Sequence, residues 1–273
     1  MYVQTGVLKL KGKDGGVVPV YSLEGEQEGE IRLPHIFLTP KREDLVRRAV
    51  VHLLTHTLQP KGAMKGSGHK YSVESWGPGY GIARIARIRG RGTPKYGSGG
   101  MVPSAVGGRP THPPVPEKKI HKGLNKKERR LALAVALAFT ASREHVAGRG
   151  HRIPEDKPLP IVVSDELEAL KKTREVEALL ERLGLADELR RCAARKVRAG
   201  KGKRRGRRYK QRVGPLIVVA NDRGVGEAAG NIPGVDVVEA RNLSVLHLAP
   251  GAKPGRLAIF TPTALQIIGE RLA

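Results

Sequence analysis

Apolar positions recur along this 273-residue chain in two rhythms, and one long stretch keeps neither. Helical spacing appears first at Leu45, Val46, Ala49, Val50, Leu53, Leu54 and Leu58. Thr39 is placed to cap that helix, with Pro40 at its first position and Pro60 as its stop. Arg47, Arg48, His52 and His56 occupy the opposite face. A second helix runs from Lys126 to about Val146 and is apolar nearly all round, which predicts a buried central helix. Asn125 reads as its N-cap and Glu128 as the capping-box partner.

Short apolar runs follow at Leu159–Val163, Leu216–Ala220, Val235–Val238 and Leu257–Phe260, each the length of a strand. Helical segments alternate with them: Asp165 to about Leu183, in one or two pieces and ended by Gly184, then Ala186–Arg198 and Pro262–Arg271. Apolar strands separated by helices predict an α/β fold, a three-layer domain whose mainly parallel sheet is flanked by helices. Near the start, Val3–Leu10 and Val17–Leu23 read as a hairpin or two edge strands. The acidic cluster Glu24–Glu30 reads as a solvated loop.

The stretch without rhythm is Pro60–Leu124. It holds 14 Gly, 8 Pro, 12 Lys or Arg and two acids, Glu74 and Glu117. Loops of that length inside a compact domain are functional or disordered. The division is therefore a single globular α/β domain, 1–59 and 125–273, carrying a long extended basic loop, 60–124, inserted between two helices. So polar a loop is expected not to pack by itself and to order only on a partner.

Composition says what that partner is. The net charge is +24, from 50 basic and 26 acidic residues. A clustered excess of that size points to a polyanion, and nucleic acid above all. Cys192 is the only cysteine, so no internal disulfide and no CxxC zinc site is available, and a reducing cytoplasmic compartment fits. The first residues carry no signal pattern, and the longest apolar run, Leu131–Phe139, is too short to span a bilayer, so no membrane role is expected. His52 and His56 have the spacing of HExxH zinc enzymes but lack its Glu, so no metal is assigned and no cofactor is expected.

Three cationic groups carry the candidate chemistry. Arg190–Arg212 has 13 Lys or Arg and no acid; alone it repels itself, and phosphates would neutralise it. In the loop, arginines alternate with small or aliphatic residues near Trp76, Tyr71, Tyr80 and Tyr96, a composition suited to stacking on unpaired bases. At the start of the central helix, Lys126, Lys127, Arg129 and Arg130 oppose the helix dipole, which an external anion explains. The residues assigned to RNA are, in the loop, Lys61, Lys65, Lys70, Trp76, Arg84, Arg87, Arg89, Arg91, Lys95, Arg109, Lys118, Lys119 and Lys122. The four helix cations join them, with Arg195, Lys196, Arg198, Lys201, Lys203, Arg204, Arg205, Arg207, Arg208, Lys210 and Arg212 from the basic run.

Two rival readings stand beside this one. Gly224-x-Gly226-x-x-Ala229 after a strand loosely matches a dinucleotide fingerprint, with Glu239 further on, and would suit an RNA-modifying, methyltransferase-like enzyme. The glycines begin three residues late, the following helix is broken by Gly230–Pro233, and Glu239 comes early. A chromatin-like DNA-binding protein is the second rival, disfavoured by the loop's place inside the fold. No catalytic triad, carboxylate pair or P-loop is legible, so no catalytic residue is assigned.

The chain resembles the archaeal and eukaryotic branch of the large-subunit ribosomal protein L-four family, and it does so along its whole length. The most specific stretches are Trp76-Gly-x-Gly-x-Gly-x-Ala-Arg84 and Arg198-Ala-Gly-Lys-Gly-Lys-Arg-Arg-Gly-Arg-Arg-Tyr-Lys210. Pro19–Ser22, Asn125–Arg130 and Gly214–Val218 support them. The resemblance implies a non-enzymatic, monomeric constituent of the large subunit in the cytoplasm. Its partners would be ribosomal RNA, neighbouring ribosomal proteins and, at the loop tip, the nascent peptide in the exit tunnel. The tip implied by the resemblance carries Tyr80, Arg84, Arg87, Arg89 and Arg91. Tyr80 stands where that family commonly has a basic residue or His, and Ala86 where it commonly has Pro. The end at Ala273, without the long eukaryotic extension, favours an archaeal source.

Overall fold

The computed structural model describes residues 16–272. The expected strand Val3–Leu10 lies outside them. In chain order the first elements are β1 (Val17–Tyr21), β2 (Gln27–Arg32) and α1 (Glu43–Leu54). Then come β3 (Val73–Glu74), β4 (Arg87–Ile88), α2 (Lys126–Thr140), α3 (Arg143–Gly148) and β5 (Ile161–Val163). They are followed by α4 (Thr173–Arg182), α5 (Ala186–Ala193), β6 (Lys196–Val197), β7 (Tyr209–Lys210) and β8 (Leu216–Val219). The last are α6 (Val225–Gly230), β9 (Asp236–Glu239), α7 (Val245–Leu248), β10 (Ala258–Phe260) and α8 (Pro262–Leu272). The chain divides into two compact units, one from Met1–Leu54 with Gly123–Ala273, as far as described, and one from Thr55–Lys122.

The first unit is α/β. Its six-stranded sheet has the order β2-β1-β5-β10-β8-β9 and is parallel except where β1 meets β2. Both faces of the sheet are buried, and the alternation of side chains divides the core in two. Val18, Val162, Leu216, Val218, Ala258 and Phe260 face α1, α2, α7 and α8. Tyr21, Ile161, Val163, Ile217, Val219 and Ile259 face the other way, with Val146 of α3 and with α4 and α6. The helix α2 is buried from Ala132 to Thr140, as its all-round apolar sequence requires.

Several expected boundaries are corrected. Thr39 does not start α1; it ends a 3-10 turn, His35–Leu38, and its hydroxyl donates to the Ile36 carbonyl at 2.7 Å. The helix begins at Glu43 and stops at Leu54, which leaves Leu58 exposed. The acidic cluster is half strand: Glu28 and Glu30 lie in β2, paired with β1 around a turn at Gly25, where φ is +85°. Their charges line an exposed strand, a usual guard against unwanted strand pairing. Asn125 makes no side-chain cap, and Glu128 pairs instead with Arg48 at 3.3 Å. The helical segment expected to reach Val146 breaks at Ala141, and α3 continues it. The one expected at Ala186–Arg198 ends at Ala193, because the next residues pair as β6.

Candidate nucleic-acid interface

The second unit overturns the expectation of a loop too polar to pack. Its two legs run side by side. The backbone N–H of Lys122 donates to Oγ1 of Thr55 at 3.0 Å, that of Ala63 to the Pro114 carbonyl at 3.0 Å, and Nδ1 of His56 lies 3.3 Å from Nδ1 of His121. Further out, Gly68 presses on the backbone of Gly108 and Arg109, which leaves no room for a Cβ. Then β3 and β4 pair antiparallel, Val73 opposite Ile88. Ile88 also bonds Ser98 and Gly97 on its other side, so a third strand-like segment closes a small sheet. Ile88 is 5% exposed. A Cβ on Gly100 would stand 2.8 Å from Val73 and 2.9 Å from Ile88, so only glycine fits against that miniature core.

Trp76 organises the tip. Its ring centroid lies 5.9 Å from that of Tyr80 and 6.0 Å from that of Tyr96, and the Arg87 guanidinium stands 5.7 Å from the ring. Arg87 also donates to the carbonyls of Gly97 at 2.7 Å and Ala83 at 3.2 Å. Arg87, half-buried, therefore splints the turn from inside the unit. Arg89 is ion-paired with Glu74 across the small sheet. Arg84 and Arg91 are exposed and have no ion pair among the described residues. Lys95 donates to the Tyr71 hydroxyl at 2.9 Å, and that bond holds the phenol below its ordinary pKa.

The basic run, expected to repel itself when alone, is not left without structure. It is a hairpin: β6 pairs β7, with a 3-10 turn Gly200–Arg205 between them and Gly206 at φ +76° completing the reversal. Arg198 folds back on the chain, donating to the carbonyls of Arg207 at 3.0 Å and Tyr209 at 3.3 Å. Carbonyls, which need no counter-charge, thus hold the turn, and the other cations are left facing out. Among the described residues no carboxylate pairs with any cation from Arg195 to Arg212.

Exposure sorts the assigned residues. All of them are exposed except Trp76, Arg87 and Arg198, which are half-buried. The cations of α2 and of the hairpin belong to the first unit and those of the loop to the second. A charge density of this kind, outward and, apart from Arg89, without an ion pair among the described residues, is held against solvent only at an electrostatic cost that phosphates relieve.

The Gly224/Gly226 loop is filled from within. Oδ1 of Asp222 accepts from the backbone N–H groups of Gly224 and Gly226, each at 3.0 Å. That carboxylate sits where a pyrophosphate would have to bind, and α6 behind it is six residues long. Among the described residues no group of three or more His, Cys, Asp or Glu is placed to hold a metal ion, and no helix is long and apolar enough to cross a membrane.

Sequence reasoning missed three buried charges in the first unit. Glu168, 4% exposed, accepts from the backbone N–H of Ala220 at 2.7 Å. Arg256, 1% exposed, donates to four carbonyls and to Asp236 at 2.5 Å. Glu188 is joined by His151, Arg191 and the Arg152 backbone N–H. Glu168 follows Asp165 and Glu166, and Glu188 follows Asp187, so nothing local marks which acid is buried; the one signal was Arg256 directly before the wholly apolar strand Leu257–Phe260.

Comparison with known proteins settles the family. The profile described as "Ribosomal protein L4/L1 family" matches residues 31–271. The chain belongs to that family. It is 50% identical over 255 residues to the large ribosomal subunit protein uL4 of Methanopyrus kandleri, covering 93% of this chain and 98% of that one. It is 44% identical over 252 residues to the protein of the same name from Saccharolobus islandicus, covering 92% of each. Both relatives are archaeal, in keeping with the source expected from the sequence. As a ribosomal protein the chain is a structural constituent and not an enzyme, which agrees with the Asp222 carboxylate occupying the glycine loop.

Proposed function

We propose that this chain binds large-subunit ribosomal RNA with two cationic surfaces and sends its loop to the wall of the nascent-peptide exit tunnel. It acts as a monomer within the cytoplasmic ribosome, beside other large-subunit proteins. Family membership supports the ribosomal role. The observation that carries the RNA reading is the hairpin Lys196–Lys210, whose cations other than Arg198 are exposed and have no acidic partner among the described residues. The globular domain 1–59 and 125–273 anchors through that hairpin and through Lys126, Lys127, Arg129 and Arg130. The loop 60–124 supplies reach. Its exposed tip residues Tyr80, Arg84 and Arg91 are the ones presented to a base or a passing peptide, and Arg87 and Arg89 keep the tip in shape.

Two measurements test this. Co-sedimentation with large subunits through a high-salt wash is expected, and recovery of the chain in the free fraction would remove the anchoring role. A photo-crosslinker at Tyr80 is expected to label nascent chains in stalled complexes. Labelling of RNA alone would leave the anchor and remove the tunnel contact.

A further inference from the structure

The loop contains a cavity that neither its cations nor its fold accounts for. It has a volume of about 740 Å³, within the range of sites that enclose a small ligand. Its lining combines apolar side chains, Ile85 and Ile88, with Tyr71, Lys70 and Lys95, and glycines 68, 99, 100 and 107 leave room beside them. Lys95 fixes Tyr71 through the 2.9 Å bond to its hydroxyl, with its ammonium 5.1 Å from the ring centroid on one face, which leaves the aromatic side chain set in place with its other face for a base.

We propose that this cavity receives one nucleotide extruded from an RNA strand, its base against Tyr71 and the isoleucines and its phosphates against Lys70 and Lys95. The inference rests on the RNA-binding reading and narrows it. A concave apolar pocket does not fit the side of an A-form helix, whose deep groove side chains cannot read; unpaired bases are what proteins stack on aromatic rings. A base brings an apolar face and its phosphates bring charge, so one nucleotide satisfies both the apolar and the cationic part of the lining. The strand on either side of it would run over neighbouring exposed cations of the same unit, which favours an RNA-borne nucleotide over a free one.

The test uses the full chain and two RNAs, a plain duplex and the same duplex with a single-nucleotide bulge, in competition binding at fixed salt. The chain is expected to prefer the bulged RNA by about tenfold or more, on the scale of one base–aromatic stack. Tyr71→Ala should erase that preference and leave duplex affinity unchanged, and Tyr71→Phe should retain it. Emission from Trp76, the chain's only tryptophan, reports that the unit is still folded in each variant. Equal affinity for the two RNAs, or a preference that survives Tyr71→Ala, overturns the pocket while leaving RNA binding intact. Loss of binding to both RNAs by the unaltered chain overturns the RNA reading itself. Adenosine monophosphate cancelling the bulge preference at micromolar concentration would assign the cavity to a free nucleotide and overturn the proposal.

Discussion

Arg191 grips Glu188 at two points, with Nε 2.7 Å from Oε2 and Nη2 2.6 Å from Oε1. Glu188 is fully buried. Its other bonds come from Nδ1 of His151 at 2.6 Å and the backbone N–H of Arg152 at 2.9 Å. Burial pushes this carboxyl upward, and the Arg191 and His151 bonds outweigh it, leaving the group at about 2. A carboxylate so low in the folded chain and near 4.5 when unfolded adds stability above pH 4.5, lost as pH falls toward about 2. Burial holds His151 neutral and below its usual value, so the unfolded chain takes up that proton more readily and acid again favours unfolding. Denaturant titrations from pH 7 to pH 3 should show a fall that is smaller in Glu188→Gln, which keeps only the His151 part of it. At pH 7 that variant should lose about 3–5 kcal/mol, the cost of breaking a buried pair.

Arg256 closes the open end of the sheet in the same way. Its Nε donates to the Gly214 carbonyl at 2.8 Å and its Nη1 to that of His247 at 3.0 Å. Replacing it by Lys keeps a charge but cannot reproduce a planar fork reaching several carbonyls. Arg256→Lys should therefore destabilise by about 2–4 kcal/mol in urea unfolding, because buried carbonyls lose their donors. A cost below about 0.5 kcal/mol, the size of an ordinary surface substitution, would mean that the carbonyls find other partners.

Legibility followed the kind of physics at work. The parallel sheet was readable because strands buried on both faces are continuously apolar, and Leu216–Val219 can be little else. Boundaries failed where a side chain had two plausible uses: Thr39 ended one turn instead of starting the next, and Glu128 reached Arg48 instead of its own helix. The cations were legible as a class. Which of them are structural was not, since Arg87 and Arg198 differ from Arg84 and Arg204 only through carbonyls that the fold brings to them. Trp76 was singled out for bases. Its neighbours Tyr80, Tyr96 and Arg87 come from separate turns, and nothing local announced that they would meet.

That distinction among arginines is testable. Arg87→Ala removes two bonds to carbonyls and the contact with Trp76, so Trp76 emission should shift to longer wavelength as the ring is wetted. Arg84→Ala should leave the emission unchanged and lower RNA affinity. If both variants leave the emission in place, the tip is held by the aromatic rings alone.

The hairpin makes a quantitative prediction about salt. Lys203, Arg204, Arg205 and Arg207 are exposed on or beside its turn, whereas Arg198 is spent on carbonyls. Changing those four to Gln should reduce the slope of log affinity against log salt by about 3, from roughly 0.7–0.9 per phosphate contact. Arg198→Gln alone should change the slope by less than about 1 and instead loosen the hairpin. A slope that ignores the fourfold variant would move the anchoring surface elsewhere.

Finally, the first unit should not need the tip of the loop. All the residues of its two core clusters lie outside 60–122. The legs of the loop bond each other at Thr55–Lys122 and Ala63–Pro114, so the closure of the chain does not depend on what lies beyond them. Deleting residues 77–99 removes β4, and with it the partner of β3 and the buried Ile88 itself. The cooperative unfolding of the sheet should be unaffected, with its Tm moving by less than about 2 °C, because no buried apolar contact of that core is lost. Shortening a connection also lowers its closure entropy, which works toward stability. A fall of about 10 °C would show that the tip supports the sheet and is more than an extension from it.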